Sequence, residues 1–520
     1  MDSDGGRSKA WAIAGLLALS LALLIPALAS LLLSIKAYTQ ALGLFGSPWA
    51  GFANFRRFFL EEEHARIIGN SVLYGAGGFV IALALGSAIA FFIPRIRTHG
   101  ARGAALSLLL LPLFVPPVCL AAGILPKAAG NGTLAELYAL LTQALLGMSV
   151  IGFAGAAHEM VMPGRGFLRG IGWAAFLYAF LLLTPDFLLL AHIMSPENSL
   201  SLQVMDTAAL GAALPAGEYS YGSAIFTLKA GMQLLTGAAV SVGAYILFLR
   251  GRKAPLDSVS KGAREISFWG WFAGVSPLIL ISIVAFAPWM SWLPGPALPA
   301  LPEQLLFAAA SGLLAFALSV ALIGALRRVG YIPFMIFSGA LLAFSNPVVG
   351  QAFFRHVLGR GMPYPEAMQA LLSPVTLVLI ILCSRISAAQ SMQSRPVALL
   401  ALLPACYAAA RYWGGGLMPF GTALLGSAFW AGAMPVAAYI WTLLPALALG
   451  AAGCTALSIY LDQNRISLRA LAPEHHQPAQ HIVQNDHEPL VEEVGEVRVD
   501  EEPADDNVHE DNGEQQRGEA

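Results

Sequence analysis

Two charged side chains stand inside long apolar runs, Asp186 within 172–194 and Lys229 within 224–249. A charge at the centre of a membrane helix costs about 2.5 to 3.5 kcal/mol on insertion scales, so one that is kept marks a solute or proton path, or an ion pair locking two helices. Counted from the ends of their runs the two fall at similar depth, so they are placed to pair. His192 and Asn346 are polar groups in apolar surroundings and suit the lining of a cavity. Pro116 and Pro117 in "LPLFVPPV" (111–118), and Pro347 in "AFSNPVVG" (343–350), interrupt two more apolar runs. A proline frees a carbonyl that only protein or water can satisfy, so these kinks are expected to face the bundle interior.

Other chemistry has no residues to carry it. No Gly-x-x-x-x-Gly-Lys-Ser/Thr loop is present to cradle a nucleotide phosphate, and no His-Glu-x-x-His, Cys-x-x-Cys or Gly-x-Ser-x-Gly occurs. The chain is therefore not expected to be an enzyme, and it implies no cofactor and no nucleic-acid partner. Cys119, Cys383, Cys406 and Cys454 sit in apolar runs without paired spacing and are expected to be small buried hydrophobes. His475, His476 and His481 lie loosely in an acidic segment and are read as solvated rather than as metal ligands.

The elements that would position these residues are membrane helices. Of 520 residues 57% are hydrophobic and 12% charged, about half the charge of an ordinary soluble domain. A hydrocarbon core of about 30 Å takes roughly 20 apolar residues as helix, and the runs are too long for barrel strands. Twelve spans are expected: 11–35, 71–93, 103–125, 134–157, 172–194, 224–249, 267–289, 305–326, 331–354, 368–383, 397–413 and 435–461. The first is read as a retained span rather than a signal peptide, because it stays apolar past Ala27-Leu28-Ala29. With both ends in the cytoplasm, 20 of the 29 basic residues fall on the cytoplasmic side, as the positive-inside rule requires.

The basic segment 250–264 divides the spans into six and six, which makes any duplication parallel. The expected organisation is an all-α membrane protein of two parallel six-helix modules, 1–253 and 265–461, joined by a cytoplasmic linker at 254–264. Residues 462–520 follow as a disordered cytoplasmic tail, since 15 of the 31 acidic residues lie after Pro473. The stretch "RRFFLEEEHARII" (56–68) has charge and aromatic residues at helical spacing and suits an external helix lying on the membrane.

At this point the residues resemble a family, the inner-membrane permease subunits of binding-protein-dependent ABC importers, especially those for carbohydrates. "GFANFRRFF" (51–59), followed by "NSVLYGAGGFVIALALGSAIAFFI" (70–93), is similar to that family's first external loop and second span. "VMDTAALGAALPAGEYSYGSAI" (204–225) resembles the loop before the last span of oligosaccharide permeases, with Asp206, Thr207, Gly211, Tyr219 and Ser220 matching. The resemblance implies a type I importer permease fold and a bacterial inner-membrane location. It also implies separate ABC ATPase subunits and an extracytoplasmic solute-binding protein as partners, beside the lipid bilayer.

The family's ATPase-coupling loop, Glu-Ala-Ala-x-x-x-Gly followed by Leu-Pro, has a degraded counterpart in "SAAQSMQSRPVALLALLP" (387–404). Ala388 and Ala389 match, Ser387 replaces the acid and Gln393 the glycine. In the first half the same place holds "HEMVMPGRGFLRG" (158–170), where His158 and Glu159 stand without the motif. Two other readings compete. One is a 6+6 secondary transporter, against which "PRIRTHGARG" (94–103) lacks the major facilitators' Gly-x-x-x-Asp-Arg pattern. The other is a non-transporting membrane scaffold derived from a permease.

Overall fold

A computed structural model describes residues 28–39, 41–60, 63–96, 98–115, 132–162, 166–181, 204–205, 208–209, 212, 218–246, 301–326, 336–339, 342, 374–389, 397–416 and 436–471. Among them the named elements are all helical. After a helical stretch at 28–34 come α1 (Gly43–Gly46), α2 (Ala53–Leu60), α3 (Glu63–Phe92) with a 3-10 turn (Ile93–Arg95), α4 (His99–Phe114), α5 (Gly132–Val161), α6 (Gly166–Leu181) and α7 (Tyr219–Ala244). The second half contributes α8 (Leu301–Leu326), α9 (Pro374–Ala389), α10 (Val397–Gly416) and α11 (Val436–Leu471).

Five of these helices contain stretches long and apolar enough to cross a bilayer: Glu63–Arg95, Ala144–Val161, Tyr219–Ala244, Ala308–Leu326 and Leu444–Leu461. Three shorter apolar stretches, Gly100–Phe114, Val375–Ala388 and Val397–Arg411, fall at other expected spans. The expected spans 267–289, most of 11–35 and most of 331–354 lie outside the described residues, as do the ends of 103–125 and 172–194 and the tail beyond 471; the first ten residues of the expected disordered tail, 462–471, are instead helical in α11. Two boundaries differ from the expectation. α3 begins eight residues before 71 and α11 continues ten beyond 461, because polar residues such as His64, Arg66, Gln463 and Asn464 extend a helix beyond lipid as readily as apolar ones extend it within. The expected helix over 56–68 is instead the end of α2 and the start of α3. α4 stops at Phe114, since Val115 precedes Pro116 and takes an extended conformation (φ −65°, ψ 121°), the region that a following proline favours.

Small residues hold the helices together. Lipid tails are as apolar as leucine, so helices in a membrane associate by close backbone approach and dispersion rather than by exclusion of water. On α3, Gly78, Ala82, Gly86 and Ala90 recur every fourth residue and all are buried. A Cβ on Gly86 would lie 2.9 Å from Ile151, one on Gly147 2.7 Å from Ala82, and one on Gly155 2.6 Å from Ala90. These contacts advance together along both chains, so α3 and α5 run parallel. Where α5 meets α6 the register reverses: a Cβ on Gly170 would overlap the Ala154 carbonyl.

In the second half α8 packs chiefly on α10, with Gly312 against Ala409, and α10 packs on α11, with Gly453 against Cys406. The halves interlock through α4 against α11 and through α9 against α5 and α6. Phe114 meets Tyr407 edge to face at 5.6 Å, and a Cβ on Gly450 would lie 2.7 Å from the Phe114 ring. One continuous apolar core runs through helices of both halves, from Ala82 and Ile151 to Leu379, Leu403 and Leu457. The described residues, all of which lie before 472, belong to one compact unit.

Candidate functional site

Three clusters of polar residues are built on this frame. At the end of the bundle marked by Arg95, α5 turns into α6 through a short connection. The Met162 N–H donates to the His158 carbonyl at 2.8 Å, and the Gly166 N–H to the Met162 carbonyl at 2.7 Å. Glu159 Oε2 accepts from the Phe167 N–H at 2.8 Å, so its carboxylate satisfies a free donor at the N-terminus of α6, where helix dipoles favour negative charge. His158 is buried, with Nδ1 2.9 Å from the Ala154 carbonyl oxygen. Gly166 permits this turn, since a Cβ there would overlap the His158 carbonyl. The Glu159 side chain thus reaches across to α6, while the His158 side chain is buried along its own helix.

The last turn of α9 holds Ser387, buried, Ala388, exposed, and Ala389; Gln393 lies outside the described residues. One turn earlier Arg385 donates from Nη2 to the Leu326 carbonyl at 3.0 Å, capping the C-terminus of α8. Its guanidinium also lies 5.1 Å from the Trp173 ring centre on α6. Arg385 therefore ties α8 and α9 of the second half to α6 of the first.

In the interior, Lys229 and Gln233 on α7 are each 1% exposed and one turn apart. They share a buried, small and polar face with Ser223, Gly237 and Ser241, and α7 packs on α6. Asp186, the expected partner of Lys229, lies outside the described residues, as do His192, Pro116, Pro117, Asn346 and Pro347.

The third cluster lies at the opposite end, marked by Glu63. There α2 and the start of α3 meet residues 204–226, with Phe58, Ile67, Met205, Tyr221, Ile225 and Phe226 forming a separate apolar core. His64 stacks on Phe58 with ring centres 4.2 Å apart, and its Nε2 lies 3.2 Å from the Tyr221 hydroxyl. Arg57 donates to Glu218 at 2.9 Å and covers the Tyr221 ring at 4.1 Å. The Met205 N–H donates to Ser71 Oγ at 2.9 Å, and the Tyr38 N–H to Ser220 Oγ at 2.9 Å. Tyr219 meets Tyr38 edge to face at 5.9 Å; burial, then the neighbouring Tyr219, pushes the Tyr38 phenol up from its ordinary value.

This cluster joins the two sequence segments, 51–93 and 204–225, that carry the family resemblance. Of the matching residues in the second segment, Tyr219 and Ser220 are in it, while Asp206, Thr207 and Gly211 lie outside the described residues. Sequence reasoning passed over Arg57, His64, Glu218 and Tyr221 as a group, because 161 residues separate Arg57 from Glu218. Arg385, two residues before the degraded coupling segment 387–404, is a signal that sequence reasoning left unused.

Searches of protein-family models, of curated proteins and of solved structures find no match to this chain.

Proposed function

We propose that this chain is the transmembrane permease subunit of an ABC-type importer for sugars or a similar small solute. A separate ATPase drives it, and an extracytoplasmic solute-binding protein delivers the solute. The observation that carries the reading is the meeting of its two resemblance-bearing segments around His64, at the end of the bundle that this reading makes external. Two further features support it. The topology assigns 20 of the 29 basic residues, Arg95, Arg102, Arg169 and Arg385 among them, to the other end, as the positive-inside rule expects of a cytoplasmic face in a bacterial inner membrane. Lys229 and Gln233 supply a buried polar face along which a polar solute can be handed inward. Closure of the ATPase would push on Ala388 and Ala389 at the end of α9, and Arg385 would carry that push to α6.

One observation favours a second reading, a membrane scaffold derived from a permease. Glu159 is hydrogen-bonded to the start of α6 and His158 is buried in α5, so neither stands out for a partner to grip.

Copurification from native membranes, with uptake in cells, tests the choice. An importer brings down an ATPase subunit, and its uptake collapses on ATP depletion while surviving loss of the proton gradient. Uptake with the opposite dependence and no associated ATPase establishes a secondary transporter, and no uptake with no ATPase leaves the scaffold.

A further inference from the structure

Residues 36–54 form a tightly pinned loop whose apolar side chains point outward. Lys36 is buried and donates from Nζ to the carbonyls of Phe45 at 2.9 Å and Ser47 at 3.2 Å. Asn54 Nδ2 donates to the carbonyl of Ser34 at 2.8 Å, and the Ala50 and Gly51 N–H groups donate to that of Ile35. Ser47 Oγ donates to the Gly43 carbonyl and accepts from the Thr39 N–H. Gly43 and Gly51 take positive φ of 64° and 57°, which allows the two tight reversals. A loop held this firmly cannot fold its side chains away, yet Phe45 is 83% exposed, Phe52 78% and Trp49 68%, with Leu42, Phe59 and Leu60 exposed beside them.

The depth of this patch is set by one contact. Leu44, between Leu42 and Phe45, packs against Ala29 and Leu33 in the helical end of the first apolar run. α1 therefore folds back alongside the last turns of that helix instead of standing clear of its end. Leu28 and Leu31 on the same helix are also exposed, so the apolar surface of the run continues onto the loop. Arg56 is exposed within one helical turn of Phe52 and Phe59, and the Arg57–Glu218 pair ties the opposite side of α2 to the protein. Aromatic side chains mixed with a cation, at the end of an apolar run expected to span the membrane, match the polarity gradient between acyl chains and headgroups.

We infer that residues 41–60 form an interfacial anchor, with Leu42, Phe45, Trp49, Phe52 and Phe59 seated in the headgroup-to-acyl boundary of a phospholipid bilayer and Arg56 at the phosphates. The anchor requires only that the chain be embedded in a membrane, so it stands apart from the importer reading. It would hold the Glu63 end of α3, and the His64 cluster with it, at a fixed height over the bilayer.

The test compares the full chain with Trp49→Phe in nanodiscs, where both faces are open to solvent; the difference in tryptophan emission isolates Trp49. Phospholipids brominated high on the acyl chain are expected to quench that difference by about twofold or more, while aqueous iodide barely reduces it. A second readout places an environment-sensitive dye at Phe52→Cys after Cys119, Cys383, Cys406 and Cys454 are replaced by alanine, with the dye at Ala65→Cys as an exposed control. Lipid quenching at position 52 alone supports the anchor. Iodide quenching of Trp49 without lipid quenching overturns it, and so does shielding that appears only when a soluble protein partner is added, which makes the patch a protein-docking surface.

Discussion

Glycines fix how closely these helices approach, and each has a cost that depends on what a methyl group would meet. Gly170 faces the Ala154 carbonyl across the α5–α6 contact, a backbone atom that cannot move aside. Gly170→Ala is expected to lower stability by about 1 to 3 kcal/mol by forcing the hairpin apart. Gly231 on α7 has open space around it, so Gly231→Ala should be neutral or stabilising by up to about 1 kcal/mol through helix propensity alone. Thermal unfolding of both variants in detergent separates close packing from propensity. The Arg57–Glu218 pair looks prominent, but both side chains are close to half exposed (47% and 41%). A double-mutant cycle with Arg57→Gln and Glu218→Gln is expected to give a coupling of about 0 to 1 kcal/mol, falling with salt. Were the coupling several times larger, the pair would be acting as a desolvated lock.

At the scale of elements, the hairpin of α5 and α6 depends on one carboxylate. Glu159 serves the Phe167 N–H across the turn in the way a helix cap does. Glu159→Ala is expected to cost about 1 kcal/mol, with Glu159→Gln recovering part of it because the amide oxygen still accepts while the charge at the α6 N-terminus is lost. Equal losses in the two variants would mean that the hydrogen bond contributes nothing and the charge everything. The helices themselves were legible from residue order, because hydrophobicity accumulates along a chain without reference to the fold. The repeat at Gly78, Ala82, Gly86 and Ala90 was equally visible, but a small-residue stripe does not say which helix lies against it. The role of Glu159 was not legible, since an acid at a helix end reads the same whether it meets a partner protein or the next helix.

At the scale of the molecule, the halves are interlocked rather than stacked as copies. α3 packs chiefly on α5, the fourth expected span of its half, whereas α8 packs chiefly on α10, the fifth of its own. The seam between α4 and α11 is tight at Gly450, which lies against Phe114. Gly450→Leu is expected to destabilise the chain by about 1 to 3 kcal/mol or more through overpacking, and to lower the unfolding temperature of the whole unit cooperatively. A split transition, in which only the second half melts early, would mean that the halves fold independently.

Residue order by itself determined that this chain is helical, that it belongs in a membrane, and where most of the described helices run. Those properties are sums over neighbours in sequence, and apolar runs too long for barrel strands can satisfy their backbone in lipid only by the local hydrogen bonds of a helix. Tertiary structure alone decided that Asn54 and Lys36 lock a loop, that His64 meets Tyr221, and that Arg385 joins α8 to Trp173. Each of these links residues too far apart for any periodicity to reach. Their meeting depends on which small-residue faces pack, and that choice is made by shape complementarity between helices, a property no single segment carries.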